Sequence, residues 1–120
     1  MRSKAAEVLG SLAAAVDGVR ECAGLGLQSE ELTELLRGVF WQGNRLEAAF
    51  TALVGALDRS EQERLHGQAV CQAWLHDELH LSEGAAYGRV RLARALPSRP
   101  ATASAFDAGA IGFSHAVTVT

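Results

Sequence analysis

Apolar residues recur in the first half of the chain at intervals that fit a helix and do not fit a strand. Leu9, Leu12, Val16, Val19 and Ala23 are spaced 3, 4, 3, 4, which lays one stripe along a helix predicted over residues 3–22. Gly24-Leu25-Gly26-Leu27 interrupts it, because two glycines in three residues make continuation costly. Ser29 is the expected N-cap of a second helix, with Glu30 and Glu31 in the first turn, where the helix dipole favours acids. From Leu32 the apolar positions are Leu36, Val39, Gly43, Leu46, Phe50, Leu53 and Leu57. Their alternating spacing of four and three is a seven-residue repeat, the pattern of a coiled-coil seam. It predicts a long helix over residues 30–58. Gly43 on that seam removes a side chain and lets a partner helix approach. Two partners satisfy the pattern: the first helix, in an antiparallel hairpin, or a second copy of the chain, since the longer helix leaves part of its seam uncovered. Trp41 lies off the seam and suits either packing on the second half or an interface.

The pattern then changes. Residues 59–67, RSEQERLHG, are polar and end in glycine, so they read as a connection. Gln68 to Leu79 predicts a short helix and His80-Leu81-Ser82 a turn. Ser82 is the expected N-cap of a helix from Glu83 to Leu96. Pro97 and Pro100 end it. Pro100 opens a further short helix that Gly109 closes, and residues 113–119 begin another. The chain closes at Thr120 in mid-pattern, which leads us to expect a fragment of a longer protein. The expectation is one all-α domain over residues 1–120, with a helical hairpin or coiled coil in 1–58 and a helix-turn-helix-like half in 68–120.

Charge changes this picture at one place. The chain carries a net charge of −3, against wholesale nucleic-acid binding by bulk charge. Yet residues 89–99 hold Arg89, Arg91, Arg94 and Arg99 with no acid among them. On a wheel at about 100° per residue, Ala86, Val90 and Ala93 lie together, flanked by Ala85, Leu92 and Leu96, and face the core. Tyr87, Arg91 and Arg94 share an outer flank that suits phosphates or base edges in a major groove. Arg99 in the following loop adds a phosphate contact or keeps the turn soluble. Arg89 projects into the apolar arc and is expected to pair with Asp77, Glu78 or Asp107, since a buried unpaired arginine is expensive. The competing reading is a solvated face of an amphipathic helix.

Other chemistry is sparse. Cys22 and Cys71 make no ligand set or disulfide framework, which fits a reducing cytosol. No apolar run approaches membrane-spanning length, so a soluble, cytoplasmic chain is expected. His76 and His80 share a helix face, but Asp77 stands where zinc proteases carry glutamate, and a third ligand is lacking. His66 and His115 stand alone. No catalytic residue, metal or cofactor is expected.

The order Leu57-Asp58-Arg59, Ala73-Trp74-Leu75, Leu81-Ser82, Arg89-Val90-Arg91-Leu92-Ala93-Arg94-Ala95-Leu96, Pro100-Ala101-Thr102, Ala108-Gly109-Ala110-Ile111 and Ser114-His115-Ala116 resembles domain of unknown function 222. That domain occurs in proteins of high-GC Gram-positive bacteria. The likeness spans nearly the whole chain and is most specific from Trp74 to Ala116. It implies an HNH-endonuclease-associated protein, because the domain usually precedes an HNH module. This chain stops before any such module and Asn44 is its one asparagine, so no nuclease residue carries over. The run from Leu81 to Ala116 is also similar in layout to the helix-turn-helix of chromosome-partition proteins of the ParB type, although Ser114 and His115 are adjacent here. The resemblance implies a DNA-targeting or assembly domain but carries over no functional residue. The residues expected to meet double-stranded DNA are those the wheel sets outward, Tyr87, Arg91 and Arg94, with Arg99 supporting. The alternative is a helical dimerisation module without DNA contact.

Overall fold

The computed structural model describes the backbone of residues 3–65 and 70–120 and the side chains of 3–60 and 70–120. Among the described residues it is all helical: α1 Lys4–Ala23, α2 Ser29–Leu65, α3 Val70–Leu79, α4 Glu83–Ala95, α5 Pro100–Asp107 and α6 Phe113–Val119, with a 3₁₀ turn Leu96–Ser98 before α5. Two compact units divide the chain, Met1–Gly38 and Val39–Thr120.

In the first unit the Ser3 side chain accepts a hydrogen bond from the Ala6 N–H and caps α1. Gly24 and Gly26 (φ +68°) then break the helix as expected. Ser29 does not cap α2. It is the first helical residue, and Gln28 supplies the carbonyl that accepts the Leu32 N–H. No described residue of this unit is fully buried. Gly18, Cys22, Leu27 and Leu35 are half-buried, whereas Leu32 and Leu36 of the heptad stripe are exposed.

The expected connection at 59–67 is a correction, since α2 runs on to Leu65. Arg, Glu, Gln and Leu are good helix formers, and polarity alone does not end a helix. The first strong breaker is Gly67, which lies outside the described residues together with His66, Gln68 and Ala69. Two apolar clusters make the core of the second unit. Val54 of α2 meets Cys71 and Leu75 of α3 and Ala86, Val90 and Ala93 of α4, with Phe50, Leu57 and Leu81 around them. Ala48 of α2 meets Leu92, Phe106 and Ala116, under Leu96, Ile111, Phe113 and Val117. Helix α4 serves both clusters, so its apolar arc is wide and only its outer flank is left to polar groups.

The buried side of α2 differs from the heptad stripe. Ala48, Thr51, Val54, Gly55 and Asp58 are buried, mostly small or polar residues, while Leu46 and Leu53 of the stripe stay exposed. Small residues let α4 come close: a Cβ at Gly55 would sit 3.5 Å from that of Ala93. The Thr51 hydroxyl donates to the Glu47 carbonyl at 2.9 Å.

After α5 the chain turns sharply back onto α2. The Gly109 N–H donates to Phe106 O and the Ala110 N–H to Ala105 O, the paired bonds of a glycine-closed helix end. Gly109 has φ +81°, and a Cβ there would meet the Trp41 carbonyl oxygen at 2.9 Å and Arg45 Cγ at 2.9 Å. Asn44 Nδ2 donates to the Gly109 carbonyl at 3.2 Å, which holds the turn against α2. Conformation and space both demand glycine, so Gly109→Ala should destabilise the fold by about 3 kcal/mol. Urea unfolding of the two proteins measures it, and an equally stable variant would remove this account of the turn.

Candidate nucleic-acid interface

Helix α3, the three residues His80-Leu81-Ser82 and helix α4 form a tight corner. His80 takes the left-handed conformation at φ +56°, which a glycine would adopt more cheaply and histidine tolerates better than most residues. His76 Nδ1 lies 2.7 Å from the Leu81 carbonyl oxygen and donates to it. The Ser82 hydroxyl accepts from the Ala85 N–H at 3.0 Å and caps α4 as expected. The turn is thus pinned at both ends, and α4 leaves it at a fixed angle.

Ala86, Val90, Leu92 and Ala93 are buried, which leaves Glu83, Gly84, Tyr87, Arg91 and Arg94 on the open side of α4. Ala85, expected on the core arc, is exposed with them, because it lies in the first turn, outside the packed stretch. Tyr87 is 56% exposed. Arg91 is exposed on the same flank, and Arg99 is exposed at the foot of α5. The four residues singled out from sequence are therefore all on the surface, but they do not stand alike. Arg94 Nε and Nη2 donate to Asp58 Oδ2 and Oδ1, both at 2.8 Å. This bidentate pair joins α4 to a buried carboxylate on α2, whose side chain is 5% exposed. The bond to Asp58 raises the Arg94 guanidinium above its ordinary pKa and outweighs the opposing effect of burial. Much of the cationic character of Arg94 is spent inside the fold, so Arg91 and Arg99 carry the accessible positive charge.

Arg89 also belongs to the fold, but not with the partners expected. Its guanidinium pairs with Glu47 of α2, in place of Asp77, Glu78 or Asp107. It lies 3.7 Å from the centre of the Phe113 ring and 5.4 Å from that of Phe50. A planar cation suits the space between two ring faces and an acid. The correction has a simple cause. Helix α4 meets α2 and α6 on the side where Arg89 points, and sequence spacing does not tell which acid a distant helix brings there.

Other candidate chemistry is thin. His76 is occupied in the turn, and among the described residues no three His, Cys, Asp or Glu side chains gather as a metal-binding group. Cys22 and Cys71 are not joined in a disulfide; the Cys71 Sγ donates to the Val54 carbonyl at 3.7 Å. An open groove of about 270 Å³ lies between α2, α4 and α5, over Ala48, Gly55 and Ala93, with Arg59 and Asp107 as its charged lining. It is smaller than ordinary ligand pockets, which start near about 300 Å³. No helix among the described residues is long and apolar enough to cross a membrane.

No curated protein and no solved structure matches this chain. A family model described as "Domain of unknown function (DUF222)" matches residues 34–120. The matched stretch runs through most of α2 and all of α3 to α6, well over half of the chain, and it contains Asp58, Arg89, Arg91, Arg94 and Gly109. By this match the chain belongs to the DUF222 family.

Proposed function

We propose that this domain is a non-catalytic, DNA-targeting or assembly part of an HNH-endonuclease-type protein, and that it meets duplex DNA through the outer flank of α4. The observation that supports the reading most is the exposed set Tyr87, Arg91 and Arg99, following the short α3–α4 turn, with no acid between residues 89 and 99. Tyr87 and Arg91 on the open flank of α4, with Arg99 exposed at the start of α5, are the kinds of group that phosphate contact and groove entry need. In this reading Arg91 and Arg99 neutralise phosphates, Tyr87 contacts sugar or base edges, and Arg94 contributes through the one guanidinium nitrogen its Asp58 pair leaves over. The association with an HNH module rests on the resemblance of Trp74 to Ala116 to the family, and a cytoplasmic location on the sparse cysteines and the lack of a membrane-length apolar run. Chemistry on DNA then belongs to another module.

Each phosphate contact released by mutation lowers the salt dependence of binding by about one unit of slope. Arg91→Ala with Arg99→Ala should therefore weaken binding to an arbitrary duplex and flatten the plot of log K against log salt by about two. Fluorescence anisotropy across a salt series checks it. A wild-type chain without salt-dependent binding, or a double variant with an unchanged slope, sinks the proposal. The second reading, an interaction module without DNA contact, draws support from a different surface, the open apolar side of α2.

A further inference from the structure

Within the second unit the heptad stripe of α2 is only partly used. Phe50 and Leu57 are half-buried against the core. Val39, Leu46 and Leu53 are 42%, 50% and 70% exposed. Gly43 is exposed too, and a Cβ on it would meet nothing within 4 Å. Nothing among the described residues calls for glycine there, although it is destabilising in mid-helix relative to alanine. The flank beside the stripe is Gln42, Ala49 and Ala56, all exposed, and α2 carries no charged side chain between Glu47 and Asp58. A solvated helix face ordinarily carries charges at such places.

We infer that this face docks a second copy of the chain, with the two α2 helices antiparallel about a two-fold axis near Ala48. Antiparallel heptads stack unlike seam positions in one layer, and here that register places Val39 opposite Leu57, Gly43 opposite Leu53, and Leu46 opposite Phe50. The most exposed leucine of the stripe within the second unit thus faces its one missing side chain, and the two-fold repeats the fit on the other side of the axis. An isologous interface must be complementary to itself, and this sequence of sizes is. On one flank Ala49 of the two copies lie beside the axis, small enough for close approach, and Gln42 lies across from Ala56. On the other flank Glu47 meets its own counterpart, each carboxylate already paired with Arg89 of its own chain. From Val39 to Leu57 the face is about 28 Å long and about 10 Å wide. That footprint of roughly 300 Å² per copy falls short of the about 800 Å² of a standard interface, so the pair is a concentration-dependent one. The inference rests on α2 alone and stands apart from the DNA reading on α4.

The test is sedimentation equilibrium of the whole chain over a concentration series to about 1 mM, with Leu53→Glu beside it and thermal melting of both as a check on the fold. The wild-type mass should rise from monomer towards dimer, while Leu53→Glu weakens association at least about a hundredfold with an unchanged melt. Direction is read by disulfide trapping in a Cys22→Ser background. Ala49→Cys should cross-link between copies, whereas Leu53→Cys should not, since two such positions lie about 15 Å apart along antiparallel helices, beyond disulfide reach. A chain monomeric throughout, which leaves the face to some other protein, overturns the inference. So does undiminished association of Leu53→Glu, or cross-linking of Leu53→Cys without that of Ala49→Cys, the mark of a parallel pair.

Discussion

Phe106→Ala is expected to cost about 4 kcal/mol and to unfold the second unit roughly 20 °C earlier than the wild type. Phe106 is completely buried and the largest side chain in its cluster. It sits on the short helix α5, whose eight residues cannot hold helical form alone. Ala48, Leu92 and Ala116, from three other helices, contact it in one cluster, so truncation empties a site that α2, α4 and α6 share. Two alanines among those neighbours leave little side chain to collapse into the cavity, which places the cost in the upper part of the range for such changes. Calorimetry of the two proteins measures it. A shift of only a few degrees would mean that α5 and α6 add little to the stability of the unit.

Arg94→Ala is the second large effect, and it bears on how DNA binding is measured. It removes the bidentate partner of the buried Asp58 carboxylate. Breaking a fully buried pair costs about 3 to 5 kcal/mol. Half of the Arg94 side chain is open to water, so we expect about 2 kcal/mol here. Arg94→Lys keeps a positive charge but not the planar fork and should recover only part of the loss. A fall in DNA binding by Arg94→Ala at a temperature near its melt would therefore report lost fold as well as lost contact. Denaturant unfolding of Arg94→Ala and Arg94→Lys separates the two, and an Arg94→Ala protein as stable as wild type would return Arg94 to the surface set. Among the described residues Arg91 makes no such pair, which is why the binding test is placed there and on Arg99.

Much of this architecture is written in local sequence. The 3- and 4-residue spacings place α1 and α2, Ser82 fixes the start of α4, and Pro100 and Gly109 bracket α5, because helix periodicity, capping and turn conformation depend on neighbours a few residues away. The outward placement of Tyr87, Arg91 and Arg94 follows from the same periodicity applied to α4. The family is legible too, through the ordered short motifs from Trp74 to Ala116.

Only the tertiary structure decided what those faces touch. Leu32 to Leu57 read as a seam, yet within the second unit the core takes the neighbouring side of α2, with Ala48, Thr51, Gly55 and Asp58. Helix α4 comes close there, with Gly55 against Ala93, and close approach needs small side chains more than large ones. Glu47 as the partner of Arg89, and Asp58 as that of Arg94, lie 42 and 36 positions away in sequence, a separation that no local pattern carries. Phe106 gave no signal of its central place, since a single aromatic residue in an eight-residue helix has too few neighbours to define a face. Periodicity states which residues lie on one side of a helix. What comes to lie against that side depends on how distant helices fill space together, and that is decided only when the chain has folded.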